Sequence, residues 1–210
     1  IPGYPGFQIL NTMKSQAFGW KPVLRYLLVV FMLTGANLYG ATHTVSNEDD
    51  LRAAITAVNG SGTDDTITFT GNIGLNAVLP PIDKAADKTL TIEGNGFTLS
   101  RNLVPSEFRV LFIWNGDVTI DRLTISGGNV STGSGGGIFN GDTLNMFNST
   151  VSGNTAGSGG GINSQYGILT LTNCTVSGNT ASLGGGIYND GTLNMFNSTV
   201  SGNTAGSGGG

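Results

Sequence analysis

The run TLNMFNSTVSGNTAGSGGG occupies Thr143 to Gly161 and recurs letter for letter as Thr192 to Gly210, an offset of 49 residues. A looser copy, LTLTNCTVSGNTASLGGGI, lies between them from Leu169 to Ile187, and a weaker one, LTISGGNVSTGSGGGI, precedes them from Leu123 to Ile138. Triple glycines begin at Gly135, Gly159, Gly184 and Gly208, so the spacing is 24, 25 and 24 residues. A fixed period in this range marks stacked units, each burying its apolar face only against its neighbours. The chain is therefore expected to be a solenoid.

The units are built from strands. In Leu144-Asn-Met146 and Leu169-Thr-Leu171 the apolar residues fall at i and i+2, which puts one row inward and the other outward. Glycine is abundant, at 35 of 210 residues, and would weaken any helical repeat. A 24-residue unit rising roughly 3.3 Å per residue can make one turn of three short strands and their bends. Successive turns stack at about 4.8 Å, so equivalent residues form ladders. Val151, Val176 and Val200 are expected to make one inward ladder, and Ile138, Ile162 and Ile187 another. The fold class is all-β, a parallel β-helix of about 24–25 residues per coil.

Two asparagine rows fit the same stacking: Asn148, Asn173 and Asn197, and Asn154, Asn179 and Asn203. Stacked amides can hydrogen-bond along the axis and satisfy the bends. Asn129, Asn148, Asn173 and Asn197 also match the N-x-S/T glycosylation pattern. The triple glycines supply positive φ and close backbone approach. They lack the aspartate of a calcium-binding nonapeptide, so no metal site and no cofactor are expected.

Residues 1–12 precede the first methionine and read as an upstream or non-native segment. Over residues 13–41, Lys14, Lys21 and Arg25 lead an apolar stretch from Tyr26 to Ala36, the pattern of a secretory signal peptide. That stretch is too short to span a bilayer. Thr34-Gly-Ala36 and Ala41 are the candidate cleavage points. Residues 42–122 form the cap and irregular coils, and 123–210 the regular coils, with the repeat pattern breaking off at Gly210 as in the N-terminal part of a longer protein. After Ser46 or Asn47 as N-cap, Leu51, Ala54, Ile55 and Val58 line one face of a short helix that Gly60 can end. This helix is the expected lid over the first coil's open strand edges. Pro80-Pro81 and Asp83 to Lys88 read as a surface loop.

Past the leader, six basic residues face all 13 acids, a net charge of 6 − 13 = −7, which disfavours nucleic-acid partners and anionic lipid. From Leu123 onward the only ionisable acids are Asp142 and Asp190, which read as equivalent bend positions two coils apart. Two such aspartates offer little acid–base chemistry. The lone Cys174 replaces Ser149 and Ser198 of the neighbouring units, as a small ladder residue would, and His43 stands alone. No catalytic residue is assigned.

The units Thr150 to Ile162 and Thr175 to Ile187 resemble the FxxN and GGAI motifs of chlamydial polymorphic outer-membrane proteins. Val151-Ser-Gly-Asn154 stands where those have FxxN, and Gly159-Gly-Gly-Ile162 where they have GGAI. Asp50-Leu-Arg-Ala-Ala-Ile55 followed by Asp65-Thr-Ile-Thr-Phe69 is similar to the entry segment of CSLREA-type passengers, without its cysteine. The resemblance is to secreted bacterial right-handed parallel β-helix proteins in general. It implies an exported passenger at the cell surface or outer membrane, adhesin-like or structural, anchored through a C-terminal region beyond Gly210. The partners so implied are cell-surface glycans or proteins of a host or neighbouring cell. Phe139 and Tyr188, which follow GGGI in alternate coils with Asn163 between them, are the candidate binding residues, as aromatics that can stack on sugar rings. The alternative is a pectate-lyase-like, polysaccharide-active β-helix. Arg101, Arg109, Arg122, Glu93, Asp117 and Asp121 are the only local charge collection that could serve it. Threonine rows of an ice-binding face are broken, because Asn145 and Phe147 replace Thr170 and Thr172.

Overall fold

A computed structural model of the chain describes residues 40–103 and 106–209. Residues 1–12 and the signal-like segment, apart from Gly40 and Ala41, lie outside them. The described fold is a parallel β-helix: every strand pair in its four sheets is parallel. One isolated antiparallel bridge, Phe108 to Asn129, departs from this.

Four faces run along the axis. The first has seven strands, from Thr42–Val45 to Thr192–Phe196, and the second six, from Ile73–Leu75 to Thr199–Ser201. The third has four, beginning at Asn129–Ser134 and ending at Thr204–Ser207. The fourth has five, from Ile82–Asp83 to Ile187–Asn189. Coils before Asn129 thus carry three strands, whereas the regular coils, expected to carry three, carry four. The additional strand is the Thr155–Ser158 segment and its equivalents, where Ala156 turns inward and is buried.

The expected ladders form in the expected register. Val151 pairs with Val176 and Ile125, and Val176 with Val200. Ile138 pairs with Ile162 and extends the row back to Leu111. These rows and the inward residues of the first face (Leu90, Ile92, Val118, Ile120, Leu144, Met146) make one continuous core. Burying such side chains contributes roughly 1.5–3 kcal/mol each, which is what offsets the chain entropy of so glycine-rich a sequence.

Helix α1, Glu48–Asn59, closes the N-terminal end of the described coils. Asn47 is its N-cap and accepts from the Asp50 amide, while Leu51, Ala54, Ile55 and Val58 are all buried. Gly60 ends it in right-handed geometry, φ −83°, so no left-handed turn is used. Glu48 ties the helix to the next coil by accepting from the amides of Asn76 (2.9 Å) and Ala77 (3.2 Å).

Two further sequence-based expectations need correction. The Asp83 to Lys88 stretch is not wholly surface loop, because Ile82–Asp83 is a strand and Lys84 points into the interior. Its ammonium donates to Asp65 (2.5 Å) and to the Val58 carbonyl (3.0 Å) in the last turn of α1, and both charged side chains are fully buried. Burial alone would raise the Asp65 pKa. Hydrogen bonds from Lys84, the Ala41 amide and Ser61, with the Lys84 charge, outweigh it and hold the carboxyl below its ordinary value. The second correction concerns Asp142 and Asp190, which do not align. Asp190 is in step with Gln165, whereas Asp142 is in step with Gly167 and its carbonyl accepts from the Ile168 amide. The Gly141-Asp142 order is reversed in Asp190-Gly191, and the swap shifts the carboxylate by one residue.

Candidate functional site

The bends show how the regular coils are held. Asn154 donates its amide to Asn179 Oδ1 (3.0 Å), and Asn179 repeats this to Asn203 (2.9 Å). The same oxygens accept the backbone amides of Asn154 and Asn179, both at 3.0 Å. Each amide also reaches a main-chain carbonyl of the preceding coil, Val151 for Asn179 and Ile125 for Asn154. The ladder is thus fully paired and almost wholly buried. Asn148, Asn173 and Asn197 form a different row. They are exposed bend residues with φ of 50°, 55° and 50°, and Arg122 takes the same bend at 51°. The two roles of the triple glycine separate. Gly159 is left-handed at φ 63°, while a Cβ on Gly160 would lie 2.5 Å from the Gly185 and Thr180 carbonyl oxygens. Cys174 is buried and bonds the Thr172 carbonyl (3.3 Å), as Ser149 and Ser198 bond theirs, and burial pushes its thiol pKa up.

Phe139 and Tyr188 both point outward on the fourth face, in register with Asn163 between them. They do not meet. Asn163 is fully buried in that row, donating to Ser158 Oγ (3.3 Å), and its own side-chain oxygen has no partner among the described residues. The aromatic neighbour of Phe139 is instead Phe112, one coil earlier, edge-to-face with ring centres 5.1 Å apart. Phe112 in turn meets Trp114 at 5.8 Å, and Trp114 is 54% exposed. The Arg109 guanidinium lies over both phenylalanine rings, 4.8 Å from Phe112 and 5.0 Å from Phe139. Such contacts are worth about 0.5–1 kcal/mol when exposed and more when desolvated.

Sequence reasoning missed Phe112 and Trp114, and named Arg109 only among the charges of the enzymatic alternative. Val110 to Ile113 reads as a solid apolar run, whereas Val110, Leu111 and Ile113 are buried and Phe112 faces out. The aromatic i, i+2 spacing of Phe112 and Trp114 was the available signal. Beside this cluster, residues 106–110 cross the position that the third face occupies in later coils. Phe108 bridges to Asn129, and Glu107 accepts from the Ser131 amide (3.2 Å) and hydroxyl (2.8 Å). A pocket of about 370 Å³ opens there, lined by Val78, Leu79, Phe108, Val110, Phe112 and Val130 together with Glu107 and Arg109.

The six charges of the enzymatic alternative spread over three faces. Glu93 and Asp121 are register neighbours on the first face, and Asp117 is further along the same strand as Asp121. Thr68 donates to Glu93 (3.1 Å), Asn145 to Asp117 (2.9 Å), and Asn148 and Arg122 to Asp121 (2.9 and 2.8 Å). Arg101 belongs to the second face, where it donates to the Gly127 carbonyl (2.9 Å) and lies over Phe108. Arg109 sits with the aromatics of the fourth. Among the described residues no three His, Cys, Asp or Glu side chains gather as metal ligands. No described helix is long and apolar enough to cross a membrane, which says nothing of β-barrels.

Comparison of the chain with protein-family models, with curated proteins and with solved structures returned no match.

Proposed function

We propose that the chain is an exported, non-enzymatic β-helix scaffold that binds cell-surface glycans, or proteins on a host or neighbouring cell, through its lateral faces. The observation that carries this is the outward row on the fourth face: Phe112 and Trp114 in one coil, Phe139 in the next and Tyr188 two coils further. Rows of this kind bind by repeating modest contacts, and coil duplication lengthens the surface without new chemistry. Export is supported by the signal-like pattern of residues 13–41, and outer-membrane anchoring by the resemblance of the repeats.

The polysaccharide-degrading alternative draws on the Glu93–Asp121 neighbours beside Arg122. Their oxygens are already engaged by Thr68, Asn148 and Arg122, which favours the binding reading. Glycan arrays and cell-binding assays with the Trp114→Ala/Tyr188→Ala double variant provide the test. Two lost aromatic contacts of about 0.5–1.5 kcal/mol each should weaken binding roughly tenfold. Unchanged binding would remove this face from consideration. Cleavage of polygalacturonate that Arg122→Ala abolishes would replace the scaffold reading with the enzymatic one.

A further inference from the structure

Arg109 is a half-buried cation without an acidic partner. Burial lowers its pKa, yet no hydrogen bond or ion pair joins its guanidinium to any described residue. The obvious local acid, Glu107, is committed elsewhere: its oxygens accept from Ser131 and from the Asn129 amide (3.4 Å). Phe112 and Phe139 fix the guanidinium from their ring faces. The same Arg109 lines the 370 Å³ pocket, whose other walls are almost all apolar. That volume lies within the roughly 300–1,000 Å³ of small-molecule sites, which combine apolar walls with a few placed polar groups.

We propose that this pocket binds a small organic monoanion, a carboxylate carried on an apolar body, with the carboxylate held by Arg109. An unpaired, partly desolvated cation is costly, and a ligand carboxylate removes that cost. The planar guanidinium fork matches a carboxylate in two parallel hydrogen bonds, and its aromatic support orders it before the ligand arrives. Val78, Leu79, Val110 and Val130 take the apolar body. Glu107, on the same lining, selects against dianions such as phosphate. The pocket shares Phe112 with the outward aromatic row, but its test reads Arg109 and a small acid, so its failure leaves the glycan reading standing.

Calorimetric titration of the 210-residue chain with 3-phenylpropanoate, 3-phenylpropanamide and inorganic phosphate tests it. The acid should bind saturably, the neutral amide about ten- to a hundredfold more weakly, and phosphate not measurably. Arg109→Gln should bring the acid down to the amide's level, and Val130→Trp, which fills the pocket, should abolish both. If Arg109→Gln alters the melting curve, the acid-to-amide ratio on the unaltered chain decides. Equal binding of acid and amide, no binding of either, or phosphate binding as tight as the acid would overturn the proposal.

Discussion

The coils before Leu123 and those after it share the same parallel stacking and solve its polar problem with different chemistry. The earlier coils use charges. Lys84 and Asp65 form a fully buried pair, Glu48 caps the Asn76 and Ala77 amides, and Glu93, Asp117 and Asp121 each have a side-chain partner. The later coils use repetition. Asn154, Asn179 and Asn203 hand the same hydrogen bond from coil to coil, and Asp142 and Asp190 are the only Asp, Glu, Lys, Arg or His residues. A ladder satisfies each member with a copy of itself, so a unit can be duplicated unchanged. A charge pair cannot be copied in that way, because each partner comes from a different part of the chain. The difference explains why the exact repeat lies in the later half.

The largest expected effect breaks the charged half. Lys84→Ala leaves Asp65 buried beneath α1 without its cation, and should cost about 3–5 kcal/mol in urea unfolding. Replacing both partners, as Lys84→Met with Asp65→Leu, should recover most of that loss. A cost below about 1 kcal/mol for Lys84→Ala would mean that the pair does not hold the cap. The pH dependence follows with the same sign. Asp65 and Glu48 have lowered pKa values, so their stabilisation is complete above the unfolded value near 4 and is lost as pH falls through the folded values. Hydrogen exchange at falling pH should therefore loosen α1 and the first coils before the Asn154–Asn203 ladder.

In the repetitive half, Asn179→Ala removes a side chain bonded to Asn154, Val151 and Asn203. Each stranded buried group costs about 1–3 kcal/mol. The same change at exposed Asn173, whose left-handed φ an alanine tolerates poorly, should cost only about 1–2 kcal/mol. If the two variants unfold alike, the buried ladder is no stronger than the exposed row, and the contrast between the halves weakens.

What the sequence made legible was whatever recurs. The spacing of the repeats places Val151 over Val176 and Ile138 over Ile162 without further information, because strand side chains alternate with period two. The helix was legible from its cap and apolar face. Features made by distant partners were not. Nothing near Lys84 indicates that it turns inward to Asp65, 19 residues away. The fourth strand of each regular coil was hidden because Thr-Ala-Gly-Ser has little β preference of its own and is held by its neighbours. Phe139 was found from its place after GGGI, but its partners Phe112 and Arg109 come from an irregular coil with no repeat to align them.

The smallest expected effect lies where the halves join. Arg122 occupies the bend that Asn148, Asn173 and Asn197 take in later coils, and it is held there at φ 51°. Left-handed backbone costs a long side chain about 1–2 kcal/mol, and less for asparagine, whose amide bonds locally. Against that stands its ion pair with Asp121, which is largely exposed and worth about 0–1 kcal/mol. Arg122→Asn should therefore leave stability unchanged or raise it by up to about 1 kcal/mol, read as a small rise in melting temperature. A loss greater than that would show that the Arg122–Asp121 contact holds the junction, extending the charged chemistry of the first half one bend further than the backbone requires.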